Sequence, residues 1–571
     1  MLLGMASLHT MGQTQERTVR LRFIETSDVH GHFFPYNFTT GMAMKGTLAR
    51  ASSYINKVRA QYGENLLLLD NGDILQGQPI SYWSNYVAND RPNIAAQVLN
   101  YMRYDAAAMG NHDIETGHQV YDRWIKETNC PVLGANIVNT SNGLPYIRPY
   151  QLFYRDGVKI AVLGMITPAI PYWLNESLWS GLRFQEMVHS ATLWMYRLKV
   201  VEQADIVIGL FHSGDLGGIT TPEYEEDAAY RVAQQVPGFD IIFFGHDHRM
   251  HQDWVQCNDG RQVLCLDPSC FAQQVADATI ELVYRDGHLA DRRVMGQVVS
   301  IANEPIDEQM VAHFQPVIDE VKRYVERPVG QLQNTITTRD CFFGPSAFTD
   351  LVHNLQLQLT GADISFNAPL TFDATIQAGT ITQGDMFKLY RYENQICVLR
   401  MTGEEIRRHL ETSYDQWVNT MQSPSDHIML LDQTTQGDQQ RTGFKNMTFN
   451  FDSAAGIDYE VDVTKPDGKK VRILRMSNGK KFDESNTYKV VMNSYRANGG
   501  GELLTLGAGI DKEELAGRIV SISEMDQRYY LTKEIERMGT IDPKPNNNWR
   551  FVPANWAQPA LERDRKLIFR E

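Results

Sequence analysis

Two carboxylates, one amide and four imidazoles stand where divalent ions could collect them. They lie in Asp28-Val29-His30, Gly72-Asp73, Gly110-Asn111-His112-Asp113, His212 and Gly245-His246-Asp247-His248. A mixed set of carboxylate, amide and imidazole donors suits ions such as zinc, manganese, iron or cobalt. The spacing leads us to expect Asp28, His30, Asp73 and His248 around one ion. Asp73, Asn111, His212 and His246 are expected around a second, with Asp73 as the bridge. Two ions roughly 3.5–4 Å apart can activate a water and clamp the attacking and leaving oxygens of a phosphoryl ester. His112 follows a ligand directly and is not needed for coordination. It is expected to face the phosphate, where general acid help is typically worth ~10²–10⁴ in rate. Glu115 is the preferred carboxylate partner for His112, and Asp113 is read as a structural group.

Each motif ends or closely follows an apolar run that reads as a strand: 21–24, 66–69, 106–109, 206–211 and 241–244. Ligands collect at the carboxyl ends of strands in open α/β sheets, so these distant motifs should converge on one crevice. If the segment is extended, Asp28 and His30 point the same way. Between the strands lie amphipathic helical patterns near 47–59, 94–102, 191–202 and 228–235. Such alternation argues for a layered α/β domain. It gives way to strands and hairpins over 263–301.

Further along, Met310, Phe314, Val317, Val321 and Tyr324 share one helical face in a connector that Pro316 should kink or break. A second domain follows, with helices near 348–359 and 403–411 and strands near 447–451, 458–463 and 488–492. The polar stretch 422–441 reads as a mobile surface loop. The tail from Lys544, with Trp549, Phe551 and Trp556 among prolines, reads as an extended surface segment. The expected division is 1–17 as a signal-peptide remnant, 18–304 and 329–543 as domains, 305–328 as a helical linker, and 544–571 as the tail.

A chain of 571 residues is too long for one core. Its 43% apolar and 22% charged composition is that of a folded protein. The net charge of −15 disfavours a nucleic-acid polymer as partner, because such binders carry basic faces. It leaves mononucleotides open, since bound ions supply positive charge locally. Six cysteines without a CxxC pair argue against a structural zinc site. Cys257 and Cys265 could pair across a hairpin or stay as buried thiols. No apolar run is long enough to span a bilayer. The apolar opening Met1–Leu8, short and without a basic flank, reads either as a frayed N-terminus or as the remnant of a signal cleaved near Gly12-Gln13. The second reading is preferred and implies export to the periplasm or cell surface.

The ordered set DxH, GD, GNHD, H and GHxH resembles the calcineurin-like metallophosphoesterase superfamily. Leu389-Tyr390-Arg391-Tyr392-Glu393-Asn394 and Asn493-Ser494-Tyr495-Arg496-Ala497-Asn498-Gly499-Gly500-Gly501 resemble the C-terminal domain of the bacterial 5′-nucleotidase family. The likeness runs from about Arg20 to Thr540. It implies an α/β fold: a four-layer α/β/β/α metallophosphoesterase domain, a helical linker and an α+β 5′-nucleotidase-type domain. It also implies two divalent metal ions, zinc, manganese or similar, and a nucleotide substrate. Tyr392 and Tyr495 would sandwich the nucleobase, a contact worth ~1–3 kcal/mol per base. Asn394 would hydrogen-bond base or sugar, and Gly499 and Gly500 would let backbone approach the ligand. Many members grip phosphate with an arginine in Asn-Gly-Gly-x-Arg; here the segment is Asn367-Ala368-Pro369-Leu370. The Gly499-Gly500-Gly501 run also lacks an aspartate common in the family. Both departures, and the segment from Gly456 to Val463, resemble the 2′,3′-cyclic-nucleotide 2′-phosphodiesterase/3′-nucleotidase branch. Arg339 or Arg391 could still contact phosphate. The expectation is therefore hydrolysis of 2′,3′-cyclic and 3′-nucleotides by a monomer or weak oligomer. Against it stand 5′-nucleotide hydrolysis, a nuclease, and a non-catalytic nucleotide-binding surface protein.

Overall fold

The computed structural model describes residues 16–436 and 439–570. The expected signal remnant falls almost wholly outside them. Residues 16–300 form two six-stranded sheets packed face to face. The first runs, in spatial order, His288–Ser300, Gln274–Arg285, Glu16–Thr26, Leu66–Asp70, Ala106–Ala108 and Val132–Leu133. The second runs Met250–Gln256, Gln262–Pro268, Ile241–Phe244, Ile206–His212, Val158–Ile166 and Tyr150–Arg155. Leu66 to Asp70 shows why the sequence makes layers. Leu67 and Leu69 enter the core between the sheets with Phe23, Ile208, Leu210 and Phe243. Leu66 and Leu68 turn outward into a core shared with the helices Leu48–Tyr62, Ile94–Met102 and His118–Glu127. Alternate residues of a strand face opposite sides, so a strand buried on both faces must be apolar throughout. Each such side chain contributes about 1.5–3 kcal/mol of burial. The helices Met187–Tyr196 and Ala229–Gln235 cover the second sheet. The result is α/β/β/α.

Parallel pairing then gathers the strand ends. Glu16–Thr26, Leu66–Asp70, Ala106–Ala108 and Val132–Leu133 run parallel, as do Val158–Ile166, Ile206–His212 and Ile241–Phe244. The loops that leave their carboxyl ends carry the motifs.

The helix Glu308–Glu326 runs unbroken through Pro316. Pro316 and Ala312, whose carbonyl loses its helical partner, both lie on the exposed side. The packed stripe is Met310, Phe314, Ile318, Val321 and Val325. Water can satisfy the freed carbonyl, so the expected break does not occur.

In the second part a five-stranded sheet has the order Ser453–Ala455, Ile364–Asn367, Thr487–Asn493, Gln395–Thr402 and Ile519–Asp526. Its helices include Ala347–Thr360 and Gly403–Trp417. Three expectations are corrected here. The polar stretch contains the antiparallel pair Leu431–Gln436 and Gln439–Phe444, because a ribbon needs only backbone partners and Phe444 anchors it on the core. The segment expected as a strand near 447–451 is a turn of 3₁₀ helix, Thr448–Asn450. The tail is not extended: Trp549–Val552 pairs with Ile457–Asp462, and Ala554–Phe569 is a helix. Ala557, Ala560, Leu561 and Ile568 give that helix an apolar face against the core, a period hidden by the surrounding prolines. All six cysteines are buried free thiols, and Cys265 lies opposite Asp253 rather than Cys257. Among the described residues no helix is long and apolar enough to cross a membrane.

Candidate metal centre and active-site cleft

The seven expected ligands meet at the joined strand ends. Asp28 Oδ1 lies 3.3 Å from His248 Nε2, which is 3.1 Å from His30 Nε2. Together with Asp73 these groups offer donor atoms within 4.8 Å of one another. Asp73 Oδ2 lies 3.7 Å from His30 Nε2 and 3.3 Å from His212 Nε2, so one carboxylate oxygen sits between two groups of ligands. On the far side Asn111 Oδ1 is 3.0 Å from His212 Nε2 and 2.8 Å from His246 Nδ1. Lone-pair atoms aimed at common points, with Asp28 Oδ1 buried and without a hydrogen bond, fit divalent cations.

Asp28 and His30 are not extended. Asp28, His30, Asp73, His246 and His248 all have positive φ, between 48° and 87°. The two-residue spacing of Asp28 and His30 therefore works through a tight left-handed turn. That turn is held by Asp28 N donating to the Gly72 carbonyl and His30 N to the Asp73 carbonyl. Non-glycine residues in this region are uncommon, and strain of this kind clusters at functional sites. Gly110 is required for a different reason: a Cβ there would lie 2.2 Å from Asp73 Oδ1.

Asp113 accepts from the backbone N–H groups of Asp73, Ile74, Leu75 and Gly110 at 2.8–3.0 Å, which locks the bridging loop. His112 Nδ1 is 2.5 Å from Glu115 Oε2, and its own backbone N–H donates to Asp73 Oδ1. Burial lowers the His112 pKa, but Asp73 and Glu115 outweigh it and raise it to about 9. Burial opposes charge on Asp28 and Asp73 too, yet His212 and neighbouring imidazoles hold both carboxyls below the usual range. Asp73 and Asp28 in turn carry His212 to about 10 against its burial. His30 goes the other way. Burial takes it down to about 3, so it is a neutral imidazole.

A cleft of about 630 Å³ opens beside Asn111, His112 and His246. Its opposite wall holds Asn394, Phe449, Tyr495 and Asp526 from the second part. Pairing explains how the second part reaches it. Ile396 lies opposite Asn493 in adjacent antiparallel strands, so Asn394 and Tyr495 leave the same end of the sheet. Gly500 packs on Tyr495, where a Cβ would meet the ring at 2.5 Å. Gly499 takes φ 96° next to it. Tyr392 is half-buried and does not line the cleft. Burial raises the Tyr495 phenol above its ordinary value, and Glu226 and Tyr392 add to that.

Two expected contacts fall elsewhere. Gly456 packs against the Asp363 backbone, where the sheet needs a residue without Cβ, and it is absent from the cleft. Arg339 is drawn to Asp373 and lies over the Phe569 ring. Arg391 borders a second cleft of about 460 Å³ with His30, His32, Phe271 and Lys388. A larger depression near Tyr150, Trp194 and Arg197, about 840 Å³, holds none of these groups.

Sequence reasoning missed three neighbours of the centre. Glu226 Oε1 lies 3.0 Å from His246 Nε2, Trp173 packs 5.6 Å from the His246 ring, and Gln76 contacts His30. Only Gln76, three residues past Asp73, had a positional signal.

Comparison with known proteins agrees with this architecture. Residues 21–250 match the family model of the calcineurin-like phosphoesterases, and residues 328–507 that of the 5′-nucleotidase C-terminal domain. The chain is 26% identical to a trifunctional nucleotide phosphoesterase, YfkN, of Bacillus subtilis over 95% of its own length, spanning 40% of that protein. It is also 26% identical to a 2′,3′-cyclic-nucleotide 2′-phosphodiesterase/3′-nucleotidase of Haemophilus influenzae, over 94% of this chain and 88% of that one. A 5′-nucleotidase precursor from Thermus thermophilus has the same fold: TM-score 0.63 and 20% identity, over 94% of this chain and all of that one. The chain is a calcineurin-like metallophosphoesterase joined to a 5′-nucleotidase C-terminal domain.

Proposed function

We propose that the protein hydrolyses 2′,3′-cyclic nucleotides and 3′-nucleotides to nucleoside and phosphate. The carrying observation is a cleft with the candidate metal ligands Asn111 and His246 on one wall and Tyr495 with Asn394 on the other, and with no arginine or lysine in its lining. Five acids, Glu115, Glu226, Glu393, Glu524 and Asp526, line it instead. A cyclic phosphate carries one charge and a 3′- or 5′-phosphate two, so the acidic wall favours the cyclic diester over either monoester. The preference for 3′- over 5′-nucleotides rests on the missing arginine at Asn367-Ala368-Pro369-Leu370 and on the likeness to the 3′-nucleotidase branch. Names of the curated relatives support the same substrate class.

Asp28, His30, Asp73 and His248 would hold one divalent ion, zinc, manganese or similar, and Asp73, Asn111, His212 and His246 a second. When bound, the ions supply positive charge for the phosphate and lower the pKa of a water. The chain's own groups do the rest. Tyr495 presents its face to the base and Asn394 offers an amide to base or sugar, while Tyr392, outside the cleft lining, does not complete the expected sandwich. His112 keeps its Nδ1 edge on Glu115 and holds a proton at Nε2 for the leaving oxygen. Residues 18–304 and 329–543 act as two units joined by 305–328. Export to the periplasm or cell surface, and action as a monomer or weak oligomer, belong to the same proposal.

Rates on 2′,3′-cyclic AMP, 3′-AMP and 5′-AMP test it side by side. We expect the first two to lead; a preference of about tenfold or more for 5′-AMP, on the scale of one charge-assisted hydrogen bond, overturns the assignment. His112→Ala is expected to lower kcat by ~10²–10⁴ with metal content unchanged, checked by elemental analysis alongside kinetics.

A further inference from the structure

His30 is fixed from behind by a residue that belongs to neither ligand group. His30 Nδ1 lies 3.1 Å from Gln76 Oε1 and 3.3 Å from the Gln76 carbonyl. Gln76 Nε2 donates to Glu393 Oε2 at 3.1 Å, and Arg528 Nη2 donates to Glu393 Oε1 at 2.6 Å. Arg528 is itself clamped, with its guanidinium 4.6 Å from the Tyr82 ring centre and 3.9 Å from that of Phe387. Gln76 and Arg528 are buried, and the Glu393 side chain is 8% exposed. The chain of contacts crosses from the first part of the molecule to the second. Glu393 stands between Tyr392 and Asn394 in sequence.

The chemistry of these groups makes the chain directional. Burial pushes the Glu393 carboxyl up to about 7 against the pull of Arg528. In the ionised form that the Arg528 guanidinium holds, both oxygens only accept hydrogen bonds, so Oε2 selects the NH₂ end of the Gln76 amide. The amide oxygen must then face His30 Nδ1, and an oxygen there requires the ring proton on Nδ1. A neutral imidazole with its proton on Nδ1 has its lone pair on Nε2, the nitrogen aimed at His248 and Asp73. Turned the other way, the amide would present N–H to Nδ1 and favour the tautomer that cannot ligate. The backbone carbonyl alone, at the longer distance, would then compete with the amide rather than support it.

We infer that Gln76 and Glu393 are positioning residues that set the tautomer of His30, so that the metal site is complete only when the Tyr392-Glu393-Asn394 segment is docked. This rests on His30 being a metal ligand, and not on which nucleotide is cleaved. The same contact makes substrate wall and metal wall interdependent, since a shift of that segment withdraws the carboxylate that orients Gln76.

The test uses the full-length protein without nucleotide, which separates it from the substrate assignment. ¹⁵N-histidine spectra of the metal-stripped protein report the tautomer of His30, and zinc titration reports the affinity of each site. In the wild type His30 is expected as the Nδ1–H form. Glu393→Ala is expected to mix the tautomers and weaken one of the two zinc sites by about tenfold or more, the usual scale for groups that orient a ligand. Glu393→Gln, whose own amide can still offer an oxygen to Gln76, should restore most of the loss. A merely structural role would lower the melting temperature and weaken both sites together, with no change of tautomer. Unchanged tautomer and unchanged zinc affinities in Glu393→Ala and Gln76→Ala would overturn the inference. If Glu393→Ala does not fold, the same two readouts on Gln76→Ala decide it.

Discussion

The proton on His112 is where residue-level electrostatics meets turnover. Burial works against the charged ring, and Asp73 and Glu115 outweigh it, carrying the pKa to about 9 in the absence of ions. Bound cations press it back toward neutrality, so the acid form is the one lost as pH rises through the working range. Glu115→Gln removes one of the two charges that favour the proton. Its alkaline limb of kcat should therefore move to lower pH by roughly 1 unit or more, while the acid limb stays in place. A full pH–rate profile of both proteins measures this, and an unmoved alkaline limb would remove Glu115 from its role. The same residue could be read as a partner from sequence because it lies one helical turn beyond His112. Glu226 could not, since it meets His246 only through the fold.

Strands and turns decide how precisely the base-facing groups stand. Tyr495 owes its position to the end of Thr487–Asn493 and to Gly500, whose missing side chain the ring fills. Gly500→Ala places a methyl within 2.5 Å of ring carbons and must displace the ring. KM should rise roughly tenfold, the scale of a lost base–aromatic stack, with kcat nearly unchanged. Steady-state kinetics on the preferred nucleotide separates the two constants. At this scale much was legible. Leu66 to Asp70, Ile206 to His212 and Ile241 to Phe244 are apolar runs that end in a polar motif, so strand and ligand announce each other. The tail helix was not, because prolines at 553 and 559 mask an apolar period that only the core reveals. Arg339 and Gly456 were assigned from family likeness alone; neither position carries a pattern that says which partner it will find. The αL turns at Asp28 and His30 were equally hidden, since Asp and His take many backbone conformations.

Over the whole molecule, the acidic balance and the acidic cleft make one point. A chain of net charge −15, with five carboxylates beside its substrate space, repels phosphate unless cations are bound. Metal-stripped protein is therefore expected to keep its affinity for a nucleoside and to lose more than about tenfold of its affinity for the matching monophosphate, because like charges brought together cost several kcal/mol. Calorimetry with adenosine and 3′-AMP, before and after chelation, checks it. Equal affinities for the monophosphate in both states would mean that some other cation receives it. The contacts between the two parts point the same way. Lys512 reaches the Tyr172 carbonyl at 2.9 Å and lies over the Tyr172 ring, so this positive charge is engaged in holding the two parts together.

The left-handed turns at five of the ligands also bear on how such a chain decays over generations. Drift that removes a ligand must pass through a backbone conformation that glycine, asparagine and aspartate accept and most residues resist. Lineages released from selection on activity should thus accumulate glycine or asparagine at 28 and 73, and any of the three at 30, 246 and 248, before alanine, valine or leucine. A relative with glycine or asparagine there, on an otherwise intact scaffold, is the form a lapsed copy of this protein would take.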